Sequence, residues 1–210
     1  MITLYDCVTA PSPRRARILL AEKRVPHETV QVDLRNGEQL GEAYRLINPH
    51  CTVPALKVEE GAVLTDNAAI AAYLEARYPE PPLLGRTPLD KAEIAGWQWR
   101  VEFEGLAAIA EAFRNSSPAM AGRALTGPVG YAQIPELAQR GLARVQLFFT
   151  MLNNHLAGRD FIAAGQFSIV DITAVVAVDF ARVVKVRPGD EHPNLRRWRE
   201  AMQARGTMGG

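Results

Sequence analysis

Two short apolar runs, Ile2-Thr3-Leu4-Tyr5 and Thr29-Val30-Gln31-Val32, are separated by a single helical run, RRARILLAEKRV. That order constrains the fold more than any other feature of the chain. Strands joined in this way pair in parallel only through a crossover, and a helix over 14–24 supplies one. A loop holding Pro11 and Pro13 leads into that helix, a tolerable place for proline because first-turn N–H groups lack intrahelical partners. Residues 37–47, GEQLGEAYRLI, predict a short helix that stops before Asn48-Pro49. Ala55-Leu56-Lys57-Val58 and Ala62-Val63-Leu64 read as strands joined by a Glu59-Glu60-Gly61 turn. Asp66 to Arg77 then reads as a helix, with Ile70 and Leu74 one turn apart. A βαβ unit followed by ββα is the order of a thioredoxin-like domain.

The pattern changes at Tyr78. PEPPLLGRTP is a proline-rich connector. Beyond it the periodicity predicts helices over Leu89 to Arg114, Ile134 to Leu156, Ser168 to Val184 and Pro193 to Ala204. Between the first two lies SSPAMAGRALTGPVG, a small-residue, turn-rich loop. The expected organisation is a thioredoxin-like α/β domain over 1–79, a linker over 80–88 and an all-helical domain over 89–210. Ser168-Ile-Val-Asp171 has the S-x-x-D form of a capping box, a folding element with no catalytic part. Trp198 is expected to pack the last helix onto its domain.

Composition excludes several classes. The net charge of +1, from 24 basic and 23 acidic residues, argues against a general nucleic-acid binder. No apolar run reaches membrane-spanning length. Two cysteines, Cys7 and Cys51, form no CxxC and are too few for a disulfide framework or a zinc site. A cytoplasmic protein is the expectation.

The N-terminal order, Asn48-Pro49 ahead of Val53-Pro54, the segment LTDNAAIAAYL and the helical second half with FSIVDITA together resemble the cytosolic glutathione transferases, over nearly the whole chain. The resemblance implies a cis Val53–Pro54 bond that leaves the Val53 N–H and C=O open to the cysteinyl backbone of glutathione. It also implies that Asp66 and Asn67, at a helix N-terminus, hold the γ-glutamyl end, with Asp66 facing the ammonium and the dipole and the Asn67 amide facing the carboxylate. A plain N-cap is the other reading of Asp66. Asn67 departs from the family's usual serine. His50 and Gln39 are the candidates for the glycine carboxylate, and an exposed loop residue is the other reading of His50.

The family activates the bound thiol with a side-chain hydrogen bond near the first helix. The position of the usual serine falls here on Ala10, which has no donor. Ser12 and Thr9 flank it and are the catalytic candidates, Ser12 ahead. Trp97, Arg100 and Glu104 are spaced to line an electrophile pocket, although an aromatic stripe on a helix also serves a core. The resemblance implies glutathione as co-substrate, no metal or other cofactor, a small hydrophobic electrophile as second substrate, and a homodimer. It leaves three activities open: conjugation to an electrophile, glutathione-dependent disulfide or peroxide reduction, and ligand binding without catalysis.

Overall fold

The computed structural model describes residues 1–208. They divide into two units, one made of Met1–Pro81 together with Leu125–Gly130, the other of Pro82–Ala124 together with the chain from Tyr131 onward.

The first unit is a four-stranded sheet, β1 (Thr3–Asp6), β2 (Glu28–Gln31), β3 (Ala55–Lys57) and β4 (Val63–Leu64), in the order β2-β1-β3-β4. β1 and β2 are parallel, joined by helix α1 (Pro11–Glu22), and the other two pairings are antiparallel. The Glu59-Glu60-Gly61 hairpin forms as expected, with Gly61 at φ 85° in the left-handed region. The expected loop around Pro11 and Pro13 does not form. α1 begins at Pro11 itself, because neither proline removes an N–H that the first turn uses. The expected continuous helix over 37–47 is also broken: a 3₁₀ turn, Glu38–Leu40, and helix α2 (Glu42–Arg45) meet at Gly41, whose extended backbone (φ −74°, ψ 157°) interrupts the helical hydrogen bonding.

Helix α3 (Asn67–Arg77) packs along α1. The two run in the same direction and are fastened at both ends. Asn67 Nδ2 donates to the Ser12 carbonyl at 3.1 Å near their N-termini. At the other end the buried Lys23 Nζ pairs with Glu75 at 2.7 Å and donates to the carbonyls of Tyr78 and Pro81. Ile18, Leu20, Ile70 and Leu74, all without exposure, fill the layer beneath with Leu4 and Leu56.

The second unit is helical. α4 (Pro88–Arg100) starts at a Thr87–Asp90 capping box, readable in the sequence as T-P-L-D. It does not run on to Arg114 as a regular helix. Val101–Leu106 is a π-helical segment, and α5 (Ala107–Ser116) follows it. Near the end of the π-helical segment Gly105 lies so close to the Phe148 ring that a Cβ there would stand 2.6 Å from Cζ. This contact comes from another helix, so no local periodicity announces it. α6 (Pro135–His155) packs on α5, and α7 (Ile169–Phe180) packs on α4. α7 ends sooner than the expected Val184, passing into a 3₁₀ turn over Ala181–Val184. α8 (Pro193–Gln203) closes the unit.

The Ser168–Asp171 capping box is present and fully buried. Asp171 also accepts from Ile162 N at 3.1 Å and from Trp198 Nε1 at 3.1 Å, so one carboxylate joins α7, the preceding loop and α8. Trp198 has no exposure and packs as expected.

Candidate functional site

The end of β1 is held by a polar network around one buried carboxylate. Asp6, 1% exposed, is paired with Arg17 and accepts from Gln31 Nε2 at 2.8 Å. Arg17 Nη2 reaches the Val8 carbonyl at 3.2 Å, and Gln31 Oε1 accepts from Val8 N at 3.1 Å. Both groups that hold the carboxylate thus also hold the loop that follows it. Ala10 N donates to the Cys7 carbonyl at 2.9 Å, turning the chain into α1.

Ala10 is the N-cap of α1, with extended backbone and no side-chain cap. Ser12 sits in the first turn, not at the cap, and its Oγ accepts from Arg15 Nη2 at 3.4 Å. Thr9 is exposed, its hydroxyl 3.5 Å from Cys7 Sγ. The two hydroxyl candidates therefore flank the helix N-terminus in different settings, one in the helical turn and one on the loop.

The Val53–Pro54 bond is cis, as expected. Its approach is built by Asn48, which is buried and missed by sequence reasoning except as a helix stop. Asn48 Nδ2 donates to the Thr52 carbonyl at 2.8 Å, and its Oδ1 accepts from His50 N at 2.9 Å. The Tyr44 hydroxyl donates to the same Thr52 carbonyl at 2.7 Å. Burial pushes the Tyr44 hydroxyl up to about 12, against a lowering hydrogen bond from Asn48, so it stays protonated and keeps that donation. Thr52 is thereby held by two donors, and Val53 follows it. Among the described residues, no loop hydrogen bond uses the Val53 N–H or C=O.

Asp66 caps α3, accepting from Ala69 N at 2.8 Å through Oδ1, and is exposed. A capping carboxylate keeps its second oxygen for another donor, so the cap does not use up Asp66. Asn67 commits one amide N–H to the Ser12 carbonyl, which leaves its carbonyl oxygen and its second N–H. That bond brings the thiol-activating and γ-glutamyl candidates side by side and converges two helix N-termini, both of which favour negative charge.

His50 is exposed on the loop, and Gln39 is 95% buried, with Oε1 lacking a partner. In the helical unit, the Trp97 ring lies 3.9 Å from the His155 ring, and Arg100 stands over Trp97 at 5.7 Å. Glu104, the third residue of the group, also meets α6, the helix that carries His155. It lies within the π-helical segment, whose wider turn shifts its phase, and stands 3.8 Å from Arg144 on α6. Phe103 stacks on Trp99 at 5.1 Å, and Phe113 meets Phe180 edge-on.

A thioredoxin-like unit whose cis-proline loop carries an open backbone edge, followed by a helical unit with a buried S-x-x-D box, defines the class of protein. The glutathione S-transferase N-terminal domain model matches residues 9–77, and the glutathione S-transferase C-terminal domain model matches residues 118–205. Glutathione S-transferase 2 of Saccharomyces cerevisiae is 33% identical over 98% of this chain and 87% of its own length. The crystal structure of Gtt2 from the same yeast superposes with a TM-score of 0.89 at 30% identity, covering 99% of this chain and 98% of that one. A maleylacetoacetate isomerase of Pseudomonas aeruginosa is 42% identical over 44% of this chain and 45% of its own. The chain belongs to the glutathione S-transferase family and is a glutathione transferase enzyme. No helix among the described residues is long and apolar enough to cross a membrane.

Proposed function

We propose that the protein conjugates glutathione thiolate to a small hydrophobic electrophile, acting as a cytoplasmic homodimer in detoxification without a metal or other cofactor. The observation that carries this reading is the Asn67–Ser12 bond, which converges the N-termini of α1 and α3 in the unit that also holds the open Val53 edge. Extended glutathione pairs its cysteinyl backbone with Val53 as an added strand would. Its γ-glutamyl carboxylate takes the N-terminus of α3 and the remaining amide hydrogen of Asn67, and its ammonium takes Asp66. His50 and Gln39 serve the glycine carboxylate. The thiolate lies toward the N-terminus of α1, where the dipole lowers its pKa. Ser12 supplies the activating hydrogen bond: its oxygen accepts from Arg15, so the hydroxyl hydrogen is directed elsewhere. Trp97 and Arg100 contribute to the electrophile's side.

A second reading, glutathione-dependent disulfide reduction, is favoured by Ala10, which leaves the helix cap without a side-chain donor, and by the Cys7–Thr9 pair on the adjoining loop. Calorimetric titration with reduced and oxidised glutathione, followed by turnover of an aromatic halide against a small disulfide, separates the two. Conjugation with weak binding of the oxidised form supports the first reading. Disulfide turnover alone overturns it.

A further inference from the structure

Six residues in the helical half of the sequence, Leu125–Gly130, group with the first unit. Their base is clamped. Ala124 N donates to the Tyr131 carbonyl at 3.2 Å and Tyr131 N to the Gly122 carbonyl at 3.0 Å, closing the ends of the loop on each other. Arg114 Nη1 holds the Arg123 carbonyl at 2.7 Å, and Gln133 Nε2 holds the carbonyls of Arg114 and Ser117, each at 2.7 Å. The buried Asn115 accepts from Ile134 N at 2.9 Å.

The tip of this loop lies beside the cis-proline loop. A Cβ on Gly127 would stand 3.7 Å from the His50 carbonyl, an ordinary contact, so space does not require glycine there. Conformation does, because Gly127 has φ 114°, which L side chains rarely adopt. Val129, two residues on, is 56% exposed and Leu125 is 59% exposed. A loop with closed ends and a glycine-dependent tip is thus set against the loop three residues before Val53, with apolar side chains at the surface. A compact loop fixed at its ends can cover what its tip adjoins, as active-site loops do.

We propose that Leu125–Gly130 is a strap over the glycyl end of bound glutathione. The proposal rests on the glutathione site described above. With the cysteinyl backbone along Val53, the glycyl residue extends toward His50, where the strap tip lies. The strap excludes water from that end and slows release. It also makes the enzyme sensitive to what stands there: γ-glutamylcysteine, which lacks the glycyl residue, gains nothing from it.

Hydrogen exchange on the wild-type protein gives the first reading, with slower exchange of the amides of 125–130 expected once glutathione is bound. A variant with Leu125–Gly130 replaced by Gly-Gly gives the second. Its glutathione dissociation, followed by stopped flow, should be about tenfold faster, which corresponds to about 1.4 kcal/mol. Its affinity for γ-glutamylcysteine should not change. Wild-type binding of glutathione without protection of the loop overturns the strap, and so does an unchanged dissociation rate in the variant. A folded wild-type protein that binds no glutathione removes the glutathione site itself, and the strap with it. The exchange measurement stands even if the shortened variant does not fold.

Discussion

Replacing Arg17 by methionine tests the network that positions the thiol loop. Arg17 is 14% exposed at its side chain and Asp6 2%, so the pair is close to fully desolvated. Removing one member of such a pair costs about 3–5 kcal/mol, because the remaining charge stays buried. The partial exposure of Arg17 lets water reach the vacated side, and Gln31 still donates to Asp6 at 2.8 Å, which favours the lower end, about 3 kcal/mol. For a chain of this size that is a fall in Tm of roughly 6–12 °C. Asp6→Asn with Arg17→Met removes the orphaned charge along with its partner, so the double variant should recover on the order of 1–3 kcal/mol relative to the sum of the singles. Urea denaturation followed by circular dichroism gives all four corners of the cycle. Arg17→Met also removes the bond to the Val8 carbonyl, so glutathione affinity should fall further than the loss of folded protein explains. A single-variant loss below about 1 kcal/mol, or strict additivity in the double, would refute the reasoning.

Asp66→Ala should cost about 1 kcal/mol of stability as a lost cap. It should also weaken glutathione binding by about tenfold on calorimetry, and an unchanged Kd would reduce Asp66 to a cap alone. Ser12→Ala should raise the pKa of bound glutathione thiol, read from thiolate absorbance against pH, while Thr9→Ala should leave it in place. The reverse result transfers the role to Thr9. Gly141→Ala should destabilise the helical unit by about 2 kcal/mol or more, since its Cβ would meet Ala112 N at 2.6 Å and Ala108 O at 2.8 Å, backbone atoms that cannot yield. Gly96→Ala, with nothing within 4 Å, should instead stabilise by about 0.5–1 kcal/mol, and melting temperatures of the pair should move in opposite directions. Burial holds Asp171 up at about 6, above its ordinary 3.8, even against the donors that surround it. The folded state therefore keeps that proton longer than the unfolded one. The stabilisation is full below about pH 4 and is lost as pH rises through 6, and Asp171→Asn should flatten the stability curve over that window.

The features legible in the sequence were those that short segments decide for themselves. Ser168-x-x-Asp171, the Glu59-Glu60-Gly61 turn and the cap at Asp66 each depend on residues a few positions apart, whereas the cis Val53–Pro54 bond is implied by the family resemblance and not by its neighbours alone. Asp6, Arg17 and Gln31 meet from β1, α1 and β2, and nothing in any one of those segments says that a buried carboxylate will need two partners. Asn48 was visible as the residue before a proline, yet its bonds to Thr52 and His50 appear only when the loop closes. Asn67 was read toward a ligand, and the nearness of Ser12, 55 positions earlier, commits part of it to the protein. The helix over 37–47 breaks at Gly41, which ends the 3₁₀ turn and caps α2 with extended backbone, a break that the helical spacing of its neighbours does not announce.

The π-helical turn at Val101–Leu106 has a consequence for variation in length. By α-helical spacing, Ile94, Val101, Ala108 and Ala112 would form one straight stripe facing one neighbour. The wider turn shifts that phase: Ala108 and Ala112 meet Gly141 of α6, while α7 packs on α4 and on the π-helical segment itself. Each residue of regular helix turns the chain by about 100°. A π-helical turn holds one residue more than the regular helix that would cover the same rotation, so deleting one residue here should leave a regular helix with α5 still facing α6, whereas adding one would turn α5 away and the Gly141 contact would lose its match.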